Sequence, residues 1–229
     1  MLPRTIDWVD GRIVLVDQTA LPTIRTIAID DVDALVDAIR RLVVRGAPAL
    51  GVAGALGGAL AAPSGADLAV GVRRALAAAH AGPAAVLAVA LTVRDEDVAA
   101  CHAIGDRGAA LLLDLCGPGP LRLSTHCNAG ALACVEWGTA LGVVRSLHAA
   151  GHVELVVAHV TRPLLQGARI TAVELAALGI AHRVVVDGAG PSVIARGLVD
   201  AVVVGADRVA ANGDVVVVTS KVVSKCEGR

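Results

Sequence analysis

The chain opens with short runs in which apolar and polar residues alternate, the pattern of half-buried strands. These runs lie at Ile6–Val9, Arg12–Val16 and Ile24–Ile29. Asp10-Gly11 joins the first two, and an Asp-Gly pair between such runs is typical of a two-residue hairpin turn. The pattern therefore predicts a hairpin that is followed by a third strand.

After the third run, apolar residues recur every three or four positions, which places them on one face of a helix. Asp30 or Asp31 can cap this first helix. Its apolar face comprises Val32, Leu35, Val36, Ile39, Leu42 and Val43. Residues 47–116 keep helical spacing, with breaks at Pro63-Ser64-Gly65 and Gly82-Pro83. Residues 1–116 are therefore predicted to form a small, mostly helical α+β domain.

The sharpest break in the pattern is Gly117-Pro118-Gly119-Pro120, after which strands alternate with helices. The predicted strands are Leu121–Thr125, Val153–His159, Arg183–Val186 and Ala201–Gly205, and the predicted helices lie near Gly138–Ala150, Ile170–Leu178 and Pro191–Arg196. This spacing predicts βαβ units, whose strands form a parallel sheet. The predicted fold class is α/β, with a Rossmann-like domain over residues 121–229.

Composition argues against several classes of partner. The formal net charge is −1, the chain has no basic run, and Trp8 and Trp137 are its only aromatic residues apart from histidine, so neither phosphate binding along nucleic acid nor base stacking is expected. The mean hydropathy of +0.71 is high. The charge-poor stretch 47–66 is nevertheless rich in Ala and Gly and contains prolines, so we interpret it as a buried helix and not as a membrane span.

The cysteines and the N-terminus indicate a reducing compartment. The five cysteines are an odd number and none has CxxC spacing, and the first residues lack the apolar core of a signal peptide. A cytoplasmic protein is therefore predicted. By their place in helical patterns, Cys101, Cys116 and Cys134 are expected to be buried core residues.

Polar residues follow each predicted strand of the second half, where parallel sheets commonly bind ligands. In chain order they include His126, Cys127, Asn128, Arg162, Gln166, Arg169, Asp187, Asp207 and Asp214. A thiol, amides, carboxylates and guanidinium groups would thus meet at one edge of the sheet. The sequence predicts a functional site there.

Four segments in this order also resemble methylthioribose-1-phosphate isomerases. They are Val43-Val44-Arg45-Gly46-Ala47-Pro48-Ala49-Leu50-Gly51, Thr125-His126-Cys127-Asn128-Ala129-Gly130, the Thr-Arg-Pro-Leu-Leu-Gln-Gly-Ala-Arg segment of residues 161–169, and the Gly-Ala-Asp-Arg segment that continues to Asn-Gly-Asp over residues 205–214. The same fold family includes ribose-1,5-bisphosphate isomerases and regulatory subunits of a translation-initiation nucleotide-exchange factor. The resemblance runs from about Ile6 to Val215.

The resemblance implies an aldose–ketose isomerase of methionine salvage that acts on a sugar phosphate. It implies proton transfer by Cys127 and Asp207, no metal or other cofactor, and a homodimer. The substrate-binding positions that it implies are Arg45, Gly46, Ala47 and Gln166. Ribose-1,5-bisphosphate isomerase, or a catalytically impaired ligand-sensing or assembly protein of the same fold, are the alternative functions.

Each of these residues also has a purely structural interpretation. Cys127 could be a small buried hydrophobe, and Asp207 could form a surface ion pair with Arg208. Arg45-Gly46 could end one helix before Pro48 starts the next, and a loop glutamine is uninformative by itself. A zinc site at Cys127 lacks a closing ligand pair at workable spacing.

Two segments depart from the family pattern. Residues 63–68 lack the arginine of the family's Arg-Pro-Thr segment, and Val216-Val217-Val218 stands where the family has Ala-Asn-Lys. Both changes remove expected substrate contacts, so weakened phosphate binding is predicted. The second change also suggests that the sheet is incomplete, or truncated, on its C-terminal side.

Overall fold

A computed structural model describes residues 2–61 and 77–206, together with the backbone of 208–209 and 215–216. The chain begins with an antiparallel sheet of β1 (Ile6–Val9), β2 (Arg12–Val16) and β3 (Thr26–Ile29), in the order β1-β2-β3. Asp10 and Gly11 both have positive φ, 49° and 81°, as a type I′ hairpin turn requires. The predicted hairpin is confirmed, and the third strand begins two residues later than predicted.

The first helix, α1 (Val32–Arg40), starts as the sequence predicts and ends earlier. The Asp31 side chain accepts a hydrogen bond from the Ala34 N–H across 2.7 Å, which caps the helix. Leu42 has a φ of 59° and lies outside the helix, so its assignment to the apolar helical face is wrong. Val43 also follows the helix, yet its side chain is buried in the core.

Two longer helices follow α1 in the described part of the first half of the chain. They are α2 (Ala47–Ala61) and α3 (Pro83–Cys116), a single helix of 34 residues. The predicted break at Gly82-Pro83 is confirmed, since Gly82 has a φ of 95° and the proline occupies the first turn of α3. The break predicted at Pro63-Ser64-Gly65 lies outside the described residues.

The second half of the chain is a parallel sheet whose strands alternate with helices, as the sequence predicts. Its strands are β4 (Leu121–Thr125), β5 (Val153–His159), β6 (His182–Val185) and β7 (Ala201–Val202), in the order β6-β5-β4-β7. The helices between them are α4 (Ala140–Ala149), α5 (Ala172–Ala177) and α6 (Gly190–Ala195). A π-helical turn over Gly167–Thr171 precedes α5. The last parallel strand is three residues shorter than predicted.

A short antiparallel pair, β8 (Arg208–Val209) and β9 (Val215–Val216), follows the parallel sheet. Within residues 2–61 and 77–206, no helix combines the length and the apolarity that crossing a bilayer requires.

Buried apolar side chains form two main clusters. One contains Ile6, Leu35 and Leu56, and the other contains Leu123 and Leu147. Helix α3 contributes to both, because its N-terminal half packs on α2 and its C-terminal half packs on α4. The domain boundary near residues 117–120 therefore stays a prediction.

Candidate active site

Cys127 follows β4 and is held by contacts on both sides of its backbone. Its N–H donates to Thr161 Oγ1 across 2.8 Å, and its carbonyl accepts from Thr171 Oγ1, also across 2.8 Å. The residue has a φ of 69°, which lies in a backbone region that residues other than glycine rarely adopt. Such strained backbone persists where surrounding contacts impose it, as they do here. The Cys127 thiol is thus fixed at the edge of the sheet.

The thiol faces the side chain of Gln166, which the sequence alone left uninformative. Gln166 Nε2 lies 3.4 Å from Cys127 Sγ, within the range for hydrogen bonds to sulfur. Gln166 is 5% exposed, and its Oε1 is buried without a hydrogen-bond partner among the described residues. A buried, unpartnered amide oxygen is costly unless a ligand supplies a donor.

A buried carboxylate from α5 holds the loop after Cys127. Glu174 accepts hydrogen bonds from Asn128 Nδ2 across 2.9 Å, from the Ala131 N–H across 2.7 Å and from the Leu132 N–H across 3.2 Å. Burial raises the pKa of this carboxyl, and the three donors oppose that shift. An added Cβ at Gly130 would overlap the carboxylate, so only glycine fits there.

Sequence reasoning missed Glu174. The only available signal was a single acidic residue in the apolar run Ile170–Leu178, which is equally consistent with an exposed helix position. In the structure its side chain is fully buried on the side of α5 that faces the loop. The position of Cys127 therefore depends on a residue 47 positions later in the chain.

The loop after β5 is held by Asp187, one of the polar residues that follow the predicted strands. The carboxylate accepts from the Thr161 N–H and from the Arg162 N–H, each across 2.8 Å. Burial opposes ionisation, yet these two donors hold the pKa of Asp187 below its ordinary value. Thr161 Oγ1 in turn donates to the His159 carbonyl across 3.0 Å. Asp187 thus fixes the threonine that orients Cys127.

Arg45 lies on the other side of Gln166. A cavity of about 110 Å³ is lined by Gln18, Thr19, Arg41, Leu42, Arg45, Leu164, Gln166, Arg169 and Ile170. Arg45 Nη1 is buried and has no hydrogen-bond partner among the described residues. Three guanidinium groups and two amide side chains around one small cavity suit a phosphate group. The cavity is therefore a candidate anion site that shares Gln166 with Cys127.

Gly46 and Ala47 are adjacent to Arg45 but do not line this cavity. Gly46 has a φ of 97°, and an added Cβ would lie 2.4 Å from the Ala133 carbonyl oxygen. This close approach joins the start of α2 to the turn after Cys127. Ala47 is the first residue of α2, whose N-terminal end carries a partial positive charge.

The predicted proton donor, Asp207, lies outside the described residues. The same holds for residues 63–68 and 217–218, where the sequence departs from the family pattern. The chain leading to Asp207 nevertheless passes the candidate site. An added Cβ at Gly205 would lie 3.2 Å from Ala129 Cβ, so this segment packs against the loop that carries Cys127.

A larger cavity, of about 410 Å³, lies near Trp137 and Arg145. Its lining includes Glu174 and Ala131 but none of the residues that the sequence assigns to the site. Arg145 stacks on the Trp137 ring with its guanidinium carbon 3.9 Å from the ring centroid. We therefore place the candidate site in the smaller cavity, beside Cys127.

Two clusters in the described residues have side chains that could ligate a metal. One is Asp97, Cys101 and Cys134, and the other is His126, His159 and Asp187. Cys127 belongs to neither of these clusters. That no metal is needed for catalysis stays a prediction.

The cysteines outside the candidate site differ in burial. Cys101 and Cys134 are buried, as expected, whereas Cys116 is exposed at the end of α3, so its assignment to the core is wrong. Hydrogen bonding to Cys101 together with burial raises the pKa of the Cys134 thiol, which favours its neutral form.

Comparison with known proteins finds similar sequences and structures. Methylthioribose-1-phosphate isomerase of Gloeobacter violaceus is 46% identical over 237 residues, which cover 92% of this chain and 68% of that protein. The crystal structure of 5-methylthioribose 1-phosphate isomerase from Pyrococcus horikoshii matches with a TM-score of 0.82 at 31% identity, over 93% of this chain and 68% of that one.

The structure of translation initiation factor eIF-2B, subunit delta, from A. fulgidus matches with a TM-score of 0.79 at 40% identity, over 90% of this chain and 69% of that one. The chain thus spans about two thirds of the length of these proteins. Residues 60–222 match the sequence profile of the initiation factor 2 subunit family. This match and the identity to these relatives show that the chain belongs to the initiation factor 2 subunit family.

Proposed function

We propose that the chain isomerises 5-methylthioribose 1-phosphate to 5-methylthioribulose 1-phosphate, a step of methionine salvage. The observation that carries this proposal is the position of Gln166, which contacts the Cys127 thiol and also lines the cavity of Arg45. One side chain thus connects a group suited to proton transfer with a cavity suited to phosphate. Relatives with the isomerase name match about nine tenths of the chain and support this assignment.

Arg45 is the proposed phosphate anchor. Its buried Nη1, which has no hydrogen-bond partner within the part of the chain that the structure describes, can donate to a phosphate oxygen, and such charge-assisted hydrogen bonds are about twice as strong as neutral ones. Arg41 and Arg169 lie around the same cavity and add positive charge. Gly46 and Ala47 bring the N-terminal end of α2 close to Arg45, where its partial positive charge also favours an anion.

The substrate chemistry explains why an acid and a base are needed. Phosphate on the anomeric oxygen prevents spontaneous ring opening, so cleavage of the bond between C1 and the ring oxygen requires that this oxygen gain a proton. A hydrogen then moves from C2 to C1, while the C2 hydroxyl loses its proton and becomes a carbonyl. The hydrogen can move as a hydride, or as a proton that a base removes from C2 and an acid returns to C1. The sum of the steps is redox-neutral.

Cys127 and Asp207 are the proposed acid–base pair for this reaction. The thiol lies at the edge of the sheet beside Gln166, whose Nε2 is 3.4 Å from the sulfur. Asp207 follows the segment that packs on Ala129, and Ala129 itself lies two residues after Cys127 in the chain. Replacement by asparagine (Asp207→Asn) should lower turnover by at least ~100-fold with the fold retained, because it removes a proton-transfer group.

The substrate assay tests this proposal. Purified chain is incubated separately with 5-methylthioribose 1-phosphate and with ribose 1,5-bisphosphate, and ketose formation is followed by NMR. The proposal predicts turnover of the first sugar at a kcat/KM well above that of the second. Preference for the bisphosphate, or no turnover of either sugar by folded protein, would contradict it.

We further infer that the chain acts as a cytoplasmic homodimer, with a domain boundary near residues 117–120. The family resemblance supports the dimer, and the cysteine pattern supports the reducing compartment. Light scattering of the purified protein tests the oligomeric state.

A further inference from the structure

We propose that His126, His159 and Asp187 form a binding site for a divalent transition-metal ion of the zinc or cobalt class. The three residues come from neighbouring positions along the sheet, since they lie at the carboxyl ends of β4, β5 and β6. The parallel register of these strands is what brings them together. This proposal stands independently of the proposed function, because it concerns metal binding and not turnover.

The distances between the possible ligand atoms suit a metal. One ligand atom from each of the three side chains lies within 4.8 Å of the others. His126 Nδ1 lies 3.9 Å from Asp187 Oδ1, and the His126 and His159 rings meet edge to face with their centroids 5.6 Å apart. Ligand atoms bound about 2.0–2.2 Å from one zinc ion lie ~3.3 Å apart. The three side chains must therefore move closer together when the ion binds, by a distance that side-chain rotation can supply.

The donor set indicates the class of ion. Two imidazoles and one carboxylate suit zinc, cobalt, nickel and iron, whereas calcium and magnesium prefer oxygen ligands alone. Three protein ligands leave at least one coordination position for water. The second cluster, with Asp97, Cys101 and Cys134, offers sulfur ligands instead and is spectroscopically distinguishable.

Neighbouring groups hold two of the three ligands in place. Asp187 accepts hydrogen bonds from two backbone N–H groups, which fix its carboxylate while leaving further lone pairs. His159 Nε2 lies 3.1 Å from Ser124 Oγ, the kind of outer contact that metal-binding histidines commonly make. Gly190 has no Cβ, and an added one would lie 2.4 Å from His159 Cε1. The ring therefore occupies space that any other residue at position 190 would fill.

Titration of the purified full chain with Co²⁺ tests this proposal. Binding is followed by calorimetry and by the visible absorption of the ion, and the Cys101→Ser variant removes one of the two thiols of the sulfur cluster. The proposal predicts one site per chain, with d–d bands, no sulfur-to-cobalt charge-transfer band, and no change of affinity in Cys101→Ser. Loss of outer contacts alone costs 10–100-fold in affinity, so His159→Gln and His126→Gln should each weaken binding by more than about 100-fold.

His182→Gln is the matched control, because His182 lies on β6 outside the cluster. The His182→Gln protein should therefore bind Co²⁺ as tightly as the unmodified chain does. Two histidine variants are used so that one poorly folded protein does not decide the outcome, and circular dichroism checks each fold. Unchanged affinity in both folded variants would overturn the proposal. A charge-transfer band that disappears in Cys101→Ser would also overturn it, because the ion would then occupy the other cluster.

Discussion

Gln166 Nε2 lies 3.4 Å from Cys127 Sγ, although the two residues are 39 positions apart in the chain. The contact exists because β4 and β5 are adjacent parallel strands whose carboxyl ends meet. Thr161 Oγ1 supports this contact, because it accepts a hydrogen bond from the Cys127 N–H and donates one to the His159 carbonyl at the end of β5. The thiol and the amide are therefore positioned by the sheet and the loops that follow it.

Replacement of Gln166 by leucine should lower kcat/KM by roughly 10–100-fold. The leucine has a similar size but removes the donor to Cys127 and the buried amide oxygen to which a substrate could donate, which together correspond to one or two hydrogen bonds. Steady-state kinetics measure the effect. Leu165→Ala, which truncates an exposed side chain of the same loop outside the cavity lining, should change kcat/KM less than threefold; equal losses in both variants would argue against a specific role of the amide.

Arg45→Ala should weaken the binding of phosphate compounds with a smaller effect on kcat. A hydrogen bond to a charged group contributes about 1.5–3 kcal/mol, so KM and the inhibition constant of inorganic phosphate should both rise by roughly 10–100-fold. Arg40→Ala is the control, since Arg40 is an exposed arginine on nearby α1. If phosphate inhibits the Arg45 variant as strongly as it inhibits the Arg40 variant, the anion site lies elsewhere.

Two glycines with similar φ should differ in their tolerance of alanine. Gly11 has a φ of 81° and free space around a Cβ, whereas at Gly46, with a φ of 97°, a Cβ would lie 2.4 Å from the Ala133 carbonyl oxygen. Gly11→Ala should therefore lower the free energy of unfolding by about 1–2 kcal/mol, the cost of the left-handed conformation alone. Gly46→Ala should lower it by clearly more, because the backbone must also move. Urea denaturation measures both, and equal losses would contradict the close contact.

Glu174→Gln should destabilise the protein even though the side chains have the same size. Glu174 offers two acceptor oxygens to three donors, and glutamine replaces one oxygen with an NH₂ group that would face a donor. The expected loss is about 1–3 kcal/mol in the free energy of unfolding.

Turnover of the Glu174 variant should fall as well, since the loop that holds Cys127 loses its anchor. Asp114→Asn provides a comparison at an exposed carboxylate on α3, with no expected change in stability or activity. A Glu174→Gln protein with wild-type stability would show that the hydrogen bonds to the loop contribute little.

The sheet and its site edge could be predicted from the sequence because local patterns determine them. The apolar runs of β4 and β5 have clear polar ends, and in a parallel sheet the residues after those ends must meet, which places Cys127 near Gln166. The end of α1 was harder to predict, since Leu42 adopts a left-handed backbone that periodicity does not reveal. Glu174 and His159 were missed because their roles depend on packing between distant segments.

The most direct test of the proposed catalytic role of Cys127 is the turnover of 5-methylthioribose 1-phosphate by the Cys127→Ala variant. Cys116→Ala is the control, because Cys116 is an exposed thiol at the end of α3. The unmodified chain and Cys116→Ala should form the ketose at equal rates. Cys127→Ala should lose at least ~100-fold in kcat while keeping its melting temperature within a few degrees. A folded Cys127→Ala protein with near-normal turnover would contradict a catalytic role of Cys127.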